Sequence, residues 1–266
     1  MSKKNDSVLR FYNEILGLER LHYGMWEKDD ELTIDKLKEA QIRYENFLIE
    51  KLPEGVKSIL DVGCGTGILA KNILEKGYAV EGLSPDDNQQ KNFTENIKAP
   101  FHHMRFEKFE QKDKFDCLIM SESSQYIKKG KLFENAKNAL KKDGYLMICD
   151  YFVYEKDGST LSKSGHKYSK FMEMAKEGGF NLLEEIDITD SILNTLRIGS
   201  DFLEKAQLTV DIFTQRTRTK HPRKSKFVMW LFRKKIDKLM QQKELLDTKA
   251  FKEHKSYRFL LFKVDK

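Results

Sequence analysis

The stretch that decides the fold is ILDVGCGTG, residues 59–67. Its first half is an apolar run with the length of a buried strand, and three glycines follow at every second position. A helical pattern, ILAKNILEKG, begins directly afterwards at residue 68. Glycine is needed where a backbone turns with positive φ or where a ligand touches the backbone directly. A strand, a glycine turn and a helix in this order predict a ligand crevice at the carboxyl end of the strand.

Strands and helices alternate on the carboxyl side of this turn. The apolar runs predict strands at 58–63, 78–84, 101–106, 115–123, 145–153, 181–189 and 256–264. Helical patterns fall before and between them, at 6–20, 34–51, 68–77, 87–97, 129–144 and 167–177. This rhythm predicts an α/β fold, a doubly wound and mostly parallel sheet of seven strands with helices on both faces.

The chain divides into three predicted regions. Residues 1–54 form an N-terminal helical cap over the crevice. Residues 55–189 and 251–266 form the α/β core, because they contain all the predicted strands. Residues 190–250 break the alternation with charged helical segments, so we expect a helical cap inserted before the last strand.

Positive charge is concentrated in the last third of the chain. The net charge is +6, and segment 216–238, RTRTKHPRKSKFVMWLFRKKIDK, holds ten Lys and Arg and a single acid. Basic residues around the apolar run 227–232 favour peripheral contact with a membrane or an amphiphilic, anionic ligand. A lid helix with its apolar face on the core fits the same pattern. Six apolar residues are far fewer than the roughly 20 of a membrane span.

Cysteine and histidine positions predict neither disulfides nor a metal site. Cys64, Cys117 and Cys149 lie in or beside apolar runs and have no metal-ligand spacing, which indicates a reduced, cytoplasmic setting. The start, MSKKNDSVLRFY, has no apolar stretch typical of a secretion signal. His102 and His103 are adjacent on a predicted strand, so their side chains face opposite sides.

The glycine pattern excludes the dinucleotide fingerprint. G-x-G-x-x-G counted from Gly63 requires glycine at position 68, which is Ile68. The pattern present is D-x-G-x-G-x-G, with Asp61 two residues before the first glycine. A carboxylate there would repel a pyrophosphate, and it suits a ligand that carries an ammonium and a sulfonium.

ILDVGCGTG resembles the signature of the class I S-adenosylmethionine-dependent methyltransferases. LHYG (21–24), EAQ (39–41) and EGLSPDDNQ (81–89) extend the resemblance to one branch of that family. This branch contains the sterol, tocopherol and alkaloid methyltransferases and the cyclopropane fatty acid synthases. The resemblance covers about residues 10–155. It implies the Rossmann-like methyltransferase fold, with S-adenosyl-L-methionine as cofactor and S-adenosyl-L-homocysteine as product.

The resemblance also implies which residues bind the cofactor. Tyr23 and Gly24 would contact the methionine end, and Asp61, Gly63 and Gly65 would line its amino-acid portion. Cys64 and Ser121 are further cofactor-binding candidates. The ribose hydroxyls would be held by Ser84 and Gln89, with Asp86 or Asp87 as the alternative. Phe106 and Glu107 would lie by the adenine, although Phe106 as a plain core residue stays open. A bulky residue at Gly63 is expected to block the cofactor without disturbing the fold.

Polar side chains follow the fourth strand in the order SESSQY, residues 121–126. The carboxyl end of a central strand faces the crevice, so Glu122 and Tyr126 are candidate catalytic residues. A capping or cofactor-contact role for Glu122 stays open. The cyclopropane synthases carry a bicarbonate-holding glutamate where this chain has Gln125, which argues against cyclopropanation. Weaker candidates follow the fifth strand: Tyr151, Tyr154 and His166.

The resemblance implies methyl transfer to a small-molecule acceptor of hydrophobic or amphiphilic character, such as a lipid, an isoprenoid or a natural product. The insertion at 190–250 favours it, because inserted caps enclose small acceptors. An RNA or DNA methyltransferase is the first alternative, since the last third is basic. No recognisable base-methylation signature or RNA-binding module accompanies that charge, so nucleic acid is not the expected partner. A non-catalytic cofactor-binding protein is the second alternative. The oligomeric state stays open.

Overall fold

A computed structural model describes residues 14–220 and 243–266 of the chain. Within these ranges the helices are α1 (Ile34–Glu50), α2 (Ile68–Glu75), α3 (Asp87–Asn96), α4 (Lys129–Ala139), α5 (Tyr168–Glu177), α6 (Thr189–Lys220) and α7 (Thr248–His254). The strands are β1 (Ser58–Val62), β2 (Ala79–Leu83), β3 (Phe101–His102), β4 (Phe115–Ser121), β5 (Leu140–Val153), β6 (His166–Lys167), β7 (Phe180–Asp187) and β8 (Lys255–Val264).

The strands form one open sheet in the order β3-β2-β1-β4-β5-β8-β7, with β6 paired to β5 outside this path. Pairing is parallel from β3 through β5, whereas β8 is antiparallel to both β5 and β7. The predicted doubly wound, mostly parallel sheet is therefore confirmed. Because β1 lies between β2 and β4, the loops after these three strands meet at one edge of the sheet.

Each face of the sheet is covered by helices, because successive strand residues point to opposite sides. One face packs against α1, α2, α3, α6 and α7 through Tyr44, Ile73, Phe93, Ile192 and Phe251. The other face packs against α4 and α5 through Leu132, Phe133, Ala136, Phe171 and Ala175. The two faces bury separate apolar clusters, as expected for a three-layer α/β fold.

Helix α1 carries polar residues within its buried stripe. Thr33 caps it by accepting a hydrogen bond from the Lys36 backbone N–H, and its buried side chains recur at helical spacing: Leu37, Ala40, Gln41, Tyr44, Glu45 and Leu48. Burying a glutamine and a glutamate is costly unless each finds a partner. Both do so at the sheet edge described below.

Two predicted boundaries are wrong. The helix predicted at 129–144 ends at Ala139, because Leu140 pairs with Phe115 of β4 and begins β5. The strand predicted at 101–106 is only two residues long, Phe101–His102, and a 3-10 turn over Phe106–Lys108 follows it.

Several predicted segments lie partly outside the described residues. The helix predicted at 6–20 is described only from residue 14, and residues 16–20 are irregular. Between β7 and β8 the structure describes α6 up to Lys220 and α7 from Thr248. Most of the basic segment 216–238 therefore lies outside the described residues, and its contact with a membrane or an anionic ligand stays a prediction. No helix among the described residues is long and apolar enough to cross a membrane.

Candidate functional site

The glycine turn after β1 has one glycine that faces open space. Gly63, Gly65 and Gly67 have φ values of +78°, +56° and +86°. A Cβ added to Gly63 would lie 2.5 Å from Ser123 Cβ, and one added to Gly67 would lie 2.6 Å from Ile97 Cδ1. A Cβ on Gly65 would meet no atom within 4 Å. Gly65 therefore presents bare backbone to the crevice, whereas its two neighbours are glycine for packing.

This corrects the expectation for Gly63. A side chain there would strike Ser123, whose hydroxyl donates to the Val62 carbonyl, before it reached a ligand. The Gly63 N–H donates to the Leu83 carbonyl at 2.7 Å, so this residue joins the ends of β1 and β2. A bulky residue at Gly63 would disturb the fold. The residue suited to a test of ligand approach is Gly65.

Asp61 is a buried carboxylate with an oxygen left over. Asp61 lies at the end of β1 and is 2% exposed. Its Oδ2 atom has no hydrogen-bond partner among the described residues. Burial and the nearby charge of Glu45 raise the pKa of Asp61 to about 7, against a smaller lowering effect of His22. A buried acceptor without a donor is costly in a folded protein, which indicates a site for a donor from a ligand.

Next to Asp61, Glu45 of α1 gathers a polar cluster that the sequence reading missed. Its Oε1 lies 3.0 Å from Arg20 Nε and 3.2 Å from His22 Nε2, and its Oε2 accepts from Asn72 Nδ2 at 2.8 Å. Gln41 Nε2 donates to the His22 carbonyl at 2.7 Å and fixes the same loop. The sequence feature that could have revealed this cluster is the presence of Glu45 and Gln41 among the apolar residues that α1 buries.

At the end of β2, Ser84 and Gln89 lie on either side of a helix cap. Asp86 Oδ1 accepts from the backbone N–H groups of Asn88 and Gln89 at 3.0 and 3.1 Å and so caps α3. Ser84 Oγ accepts from the Asp86 N–H at 3.2 Å. Gln89 Oε1 is buried and has no hydrogen-bond partner among the described residues. Asp87 is exposed and pairs with His103. Gln89, with an acceptor to spare, is better placed than either aspartate to bind a hydroxyl.

The two residues expected by the adenine differ in their surroundings. Phe106 is 2% exposed and stacks on Phe109 with 6.2 Å between ring centroids, inside the apolar cluster of the α4 and α5 face. These contacts favour the core role. Glu107 is half-buried, and its Oε1 accepts from the Lys128 N–H at 3.3 Å. Its carboxylate therefore lies at the start of α4.

Glu122, directly after β4, links the N-terminal loop to the last strand. Its φ is +52°, a left-handed conformation that is uncommon for a non-glycine residue. Glu122 Oε1 accepts from the Tyr23 N–H and from the Tyr257 hydroxyl, both at 2.7 Å. Burial raises the pKa of Glu122 above its usual range. Strained backbone and a half-buried acid with a raised pKa are typical of functional positions.

Tyrosine hydroxyls extend this contact across the sheet edge. Tyr44 of α1 lies 2.9 Å from Ser121 Oγ and 3.1 Å from the Tyr257 hydroxyl, measured between oxygens. Burial raises the pKa of both tyrosines well above the usual value, so both hydroxyls stay protonated. Gly24 packs so closely on Ala40 that a Cβ would lie 2.7 Å from the Ala40 Cβ. The fold thus brings together four of the predicted site residues: Tyr23, Gly24, Ser121 and Glu122.

Residues in the loop after β4 and near the end of β5 form a second polar group. Asp150 is fully buried and accepts from the Ser124 hydroxyl at 2.7 Å and from the Gln125 N–H at 3.2 Å. The Tyr151 hydroxyl donates to Gln125 Oε1. Tyr126 lies apart, with 79% of its side chain exposed. Its position at the surface offers no contact with the Glu122 network described above.

Cys64 packs in the apolar core, and His102 and His103 each lie beside an acidic side chain. Cys64 is 6% exposed within the apolar cluster, where burial raises the pKa of its thiol. His102 Nε2 lies 2.6 Å from Glu81 Oε2, and His103 pairs with Asp87 at 3.2 Å.

Comparison with known proteins finds a matching protein family and several similar proteins. A family model described as a methyltransferase domain matches residues 27–188. A methyltransferase of Geobacillus sp. (strain WCH70) is 30% identical over 128 residues, which cover 43% of this chain and about half, 52%, of that protein. A ubiquinone biosynthesis O-methyltransferase of Rickettsia bellii (strain OSU 85-389) is 26% identical over 199 residues, 66% of this chain and 81% of that protein.

A solved structure shares the fold over nearly the whole chain. A geranyl diphosphate C-methyltransferase from Streptomyces coelicolor A3(2), in complex with Mg²⁺, geranyl diphosphate and S-adenosyl-L-homocysteine, gives a TM-score of 0.66 at 12% identity. The match covers 99% of this chain and 98% of that chain. At this identity the likeness shows the fold, and it agrees with the Rossmann-like arrangement found here.

Proposed function

The chain belongs to the methyltransferase domain family, and from this premise we propose that it moves a methyl group from S-adenosylmethionine to a small-molecule acceptor. It is a methyltransferase enzyme, and S-adenosylmethionine is the cofactor that this fold carries. The acceptor's hydrophobic or amphiphilic character, the cytoplasmic location and the capping roles of residues 1–54 and 190–250 are parts of the proposal.

The observation that carries the proposal is the pair of buried oxygens without donors, Asp61 Oδ2 and Gln89 Oε1. Asp61 lies at the end of β1 and Gln89 in the first turn of α3, after the adjacent strand β2, with the bare backbone of Gly65 in the turn after β1. S-adenosylmethionine carries an ammonium group and two ribose hydroxyls, so it brings donors for both oxygens. The residues present therefore fit the cofactor, with Asp61 at the ammonium and Gln89 at the ribose.

When bound, the cofactor supplies a methyl group activated by a sulfonium, so the chain mainly binds, orients and excludes water. Arg20, His22 and Glu45 fix the N-terminal loop beside Asp61. Glu122 holds the same loop through the Tyr23 N–H. An acceptor that must lose a proton would find its base in Glu122, because a raised pKa makes its carboxylate a stronger base.

Calorimetric titration with S-adenosylhomocysteine tests the cofactor site. We expect one site per chain, with affinity lowered about tenfold to a hundredfold in Gln89→Leu, which loses hydrogen bonds to the ribose. Asp265→Asn is the matched control, since this carboxylate is exposed beyond the end of β8. Wild-type protein that fails to bind, or Gln89→Leu protein that binds normally, would overturn the assignment.

Transfer itself is tested with methyl-labelled S-adenosylmethionine and a set of small hydroxylated, aminated and alkenyl acceptors. We expect label to pass to at least one extractable small molecule. Label that passes only to added RNA or DNA would contradict the small-molecule proposal.

A further inference from the structure

Beside the proposed acceptor end of the crevice, Lys255 and Lys156 hold the same short loop, and the charge of Lys129 acts on Lys156. Lys255, the first residue of β8, is only 4% exposed. Its Nζ donates to Ser164 Oγ at 3.0 Å and lies 4.1 Å from the centre of the Tyr151 ring. Lys156 and Lys129 are near enough for their charges to act on this region. Within the described ranges, none of the three forms an ion pair.

The position of Lys255 relates it to the proposed reaction site. Lys255 and Tyr257 alternate with Ser256 on β8, so both side chains point to the same face of the sheet. Tyr257 contacts Glu122 through its hydroxyl. Tyr151, whose ring lies under the Lys255 ammonium, reaches Gln125 in the loop that follows Glu122. Lys255 is therefore two residues along β8 from the tyrosine that contacts Glu122, on the same face of the sheet.

The nearby acids are already engaged. Asp157 lies 3.1 Å from His254 Nδ1, and Glu155 pairs with Lys167 at 2.6 Å. Asp150 is hydrogen-bonded to Ser124, Gln125 and Tyr151. Burial and the charge of Lys156 lower the pKa of Lys255 to about 8, against a smaller raising effect of Asp150.

The segment that covers Lys255 is held by a lysine as well. Lys156 Nζ donates to the carbonyls of Ser162 and Gly165, and the second of these distances is 2.9 Å. Gly158 and Gly165 have φ values of +84° and +91° at the two ends of this segment. Residues 156–165 thus form a short loop that both Lys156 and Lys255 hold in place.

We propose that Lys255, with Lys156 and Lys129, binds an oxyanion on the acceptor, so that the substrate is an anionic small molecule. This rests on the proposed function, and it narrows the acceptor to carboxylates and phosphate esters. An oxyanion would supply the charge partner that the three lysines lack, and charge-assisted hydrogen bonds are about twice as strong as neutral ones.

The test uses four simple anions as probes: inorganic phosphate, inorganic pyrophosphate, acetate and benzoate. Each is titrated into full-length protein saturated with S-adenosylhomocysteine. We expect at least one to bind at millimolar concentration or below, and binding to weaken roughly tenfold or more in Lys255→Met, which keeps the length of the side chain. Preference for the first pair indicates a phosphate ester, and preference for the second pair a carboxylate.

Lys142→Met is the matched control, because Lys142 is an exposed lysine at the opposite end of β5. It should change anion affinity less than about twofold. A double variant, Lys129→Met with Lys156→Met, repeats the test at more accessible positions should Lys255→Met fail to fold.

Anion binding that is equal in wild type and in Lys255→Met, or in the double variant where that is used, would overturn the proposal. So would the absence of binding by all four probes. Failure of S-adenosylhomocysteine to bind is a separate result, because it would overturn the proposed function. The anion titrations would then be repeated on protein without S-adenosylhomocysteine, where they still test whether the lysines bind an oxyanion.

Discussion

The proposed cofactor half and the proposed acceptor half of the crevice are built in different ways. The cofactor half centres on one contiguous stretch, residues 61–67, and on residues 84–89 of the next loop. The acceptor half is assembled from α1, the loop after β4, the end of β5 and the start of β8. Its hydrogen bond between Tyr44 and Tyr257 joins residues 213 positions apart. A local motif can be seen in a sequence, whereas an assembled site needs the fold.

The largest expected effect separates two glycines of the same turn. Gly65→Asn should reduce affinity for S-adenosylhomocysteine about a hundredfold or more, because a side chain fills the crevice, while it costs less than ~1 kcal/mol of stability since asparagine tolerates positive φ. Gly63→Asn should instead cost about 1–3 kcal/mol through its clash with Ser123.

Calorimetry and urea unfolding of both variants measure this difference. Two variants with the same loss of stability and the same loss of affinity would remove the distinction between a packing glycine and a ligand-facing glycine.

The next effect concerns the pH dependence of stability without cofactor. Asp61 has a pKa of about 7 when folded against an ordinary 3.8, so the folded state binds the extra proton between these values. Stability should therefore fall as pH rises from about 4 to 7. The contribution of Asp61 is at most ~4 kcal/mol, at about 1.4 kcal/mol per pKa unit.

Asp61→Asn should flatten this dependence and should make the cofactor-free protein more stable than wild type at pH 8. Urea unfolding at pH 5 and pH 8 measures the change. His166, whose pKa is lowered by burial, acts in the opposite direction, and it cancels because both proteins contain it. Equal pH dependence in the two proteins would contradict the buried, unpartnered state of Asp61.

In the acceptor half, two tyrosines should differ in their effect. Tyr257→Phe removes a hydrogen bond to the Glu122 carboxylate and should cost about 2 kcal/mol, because bonds to charged groups are the stronger kind. Tyr44→Phe removes contacts with neutral hydroxyls and should cost about 1 kcal/mol. Urea unfolding at pH 8 ranks them, and the reverse order would show that Glu122 is not the centre of this network.

The smallest effect decides whether Gln89 or Asp86 binds the ribose hydroxyls. Asp86→Ala removes the cap of α3 and should cost about 1 kcal/mol of stability. Affinity for S-adenosylhomocysteine should fall less than about threefold, because Gln89 carries the hydroxyl contact and the loss of a cap acts only indirectly. A larger loss of affinity than in Gln89→Leu would move the ribose site to Asp86.

The comparison also shows what the sequence alone could predict. The order of strands and helices followed from apolar periodicity, and the glycine turn was visible because its residues are adjacent. The sequence alone could not show that Ser123 is the reason for glycine at position 63, because only the folded sheet brings the two residues together. The end of α4 was misplaced for the same cause, because the pairing of Leu140 with Phe115 is a tertiary contact.

The acceptor half followed the same rule. Glu122 was found because it follows a strand directly. Tyr44, Tyr257 and Lys255 were missed, since they lie in apolar or mixed patterns that are typical of core positions. A polar residue within a buried stripe, such as Glu45 in α1, is the signal that sequence reasoning can use next.

The most direct test of the cofactor site is the proton released when S-adenosylmethionine binds. Calorimetry at pH 6.5 in buffers of different ionisation enthalpy counts these protons. Because Asp61 must ionise to meet the ammonium, wild type should release about 0.5–0.8 proton per cofactor, as a group with a pKa near 7 requires. Asp61→Asn should bind weakly and release none. Equal proton release by both proteins, or tight binding by the variant, would contradict the account.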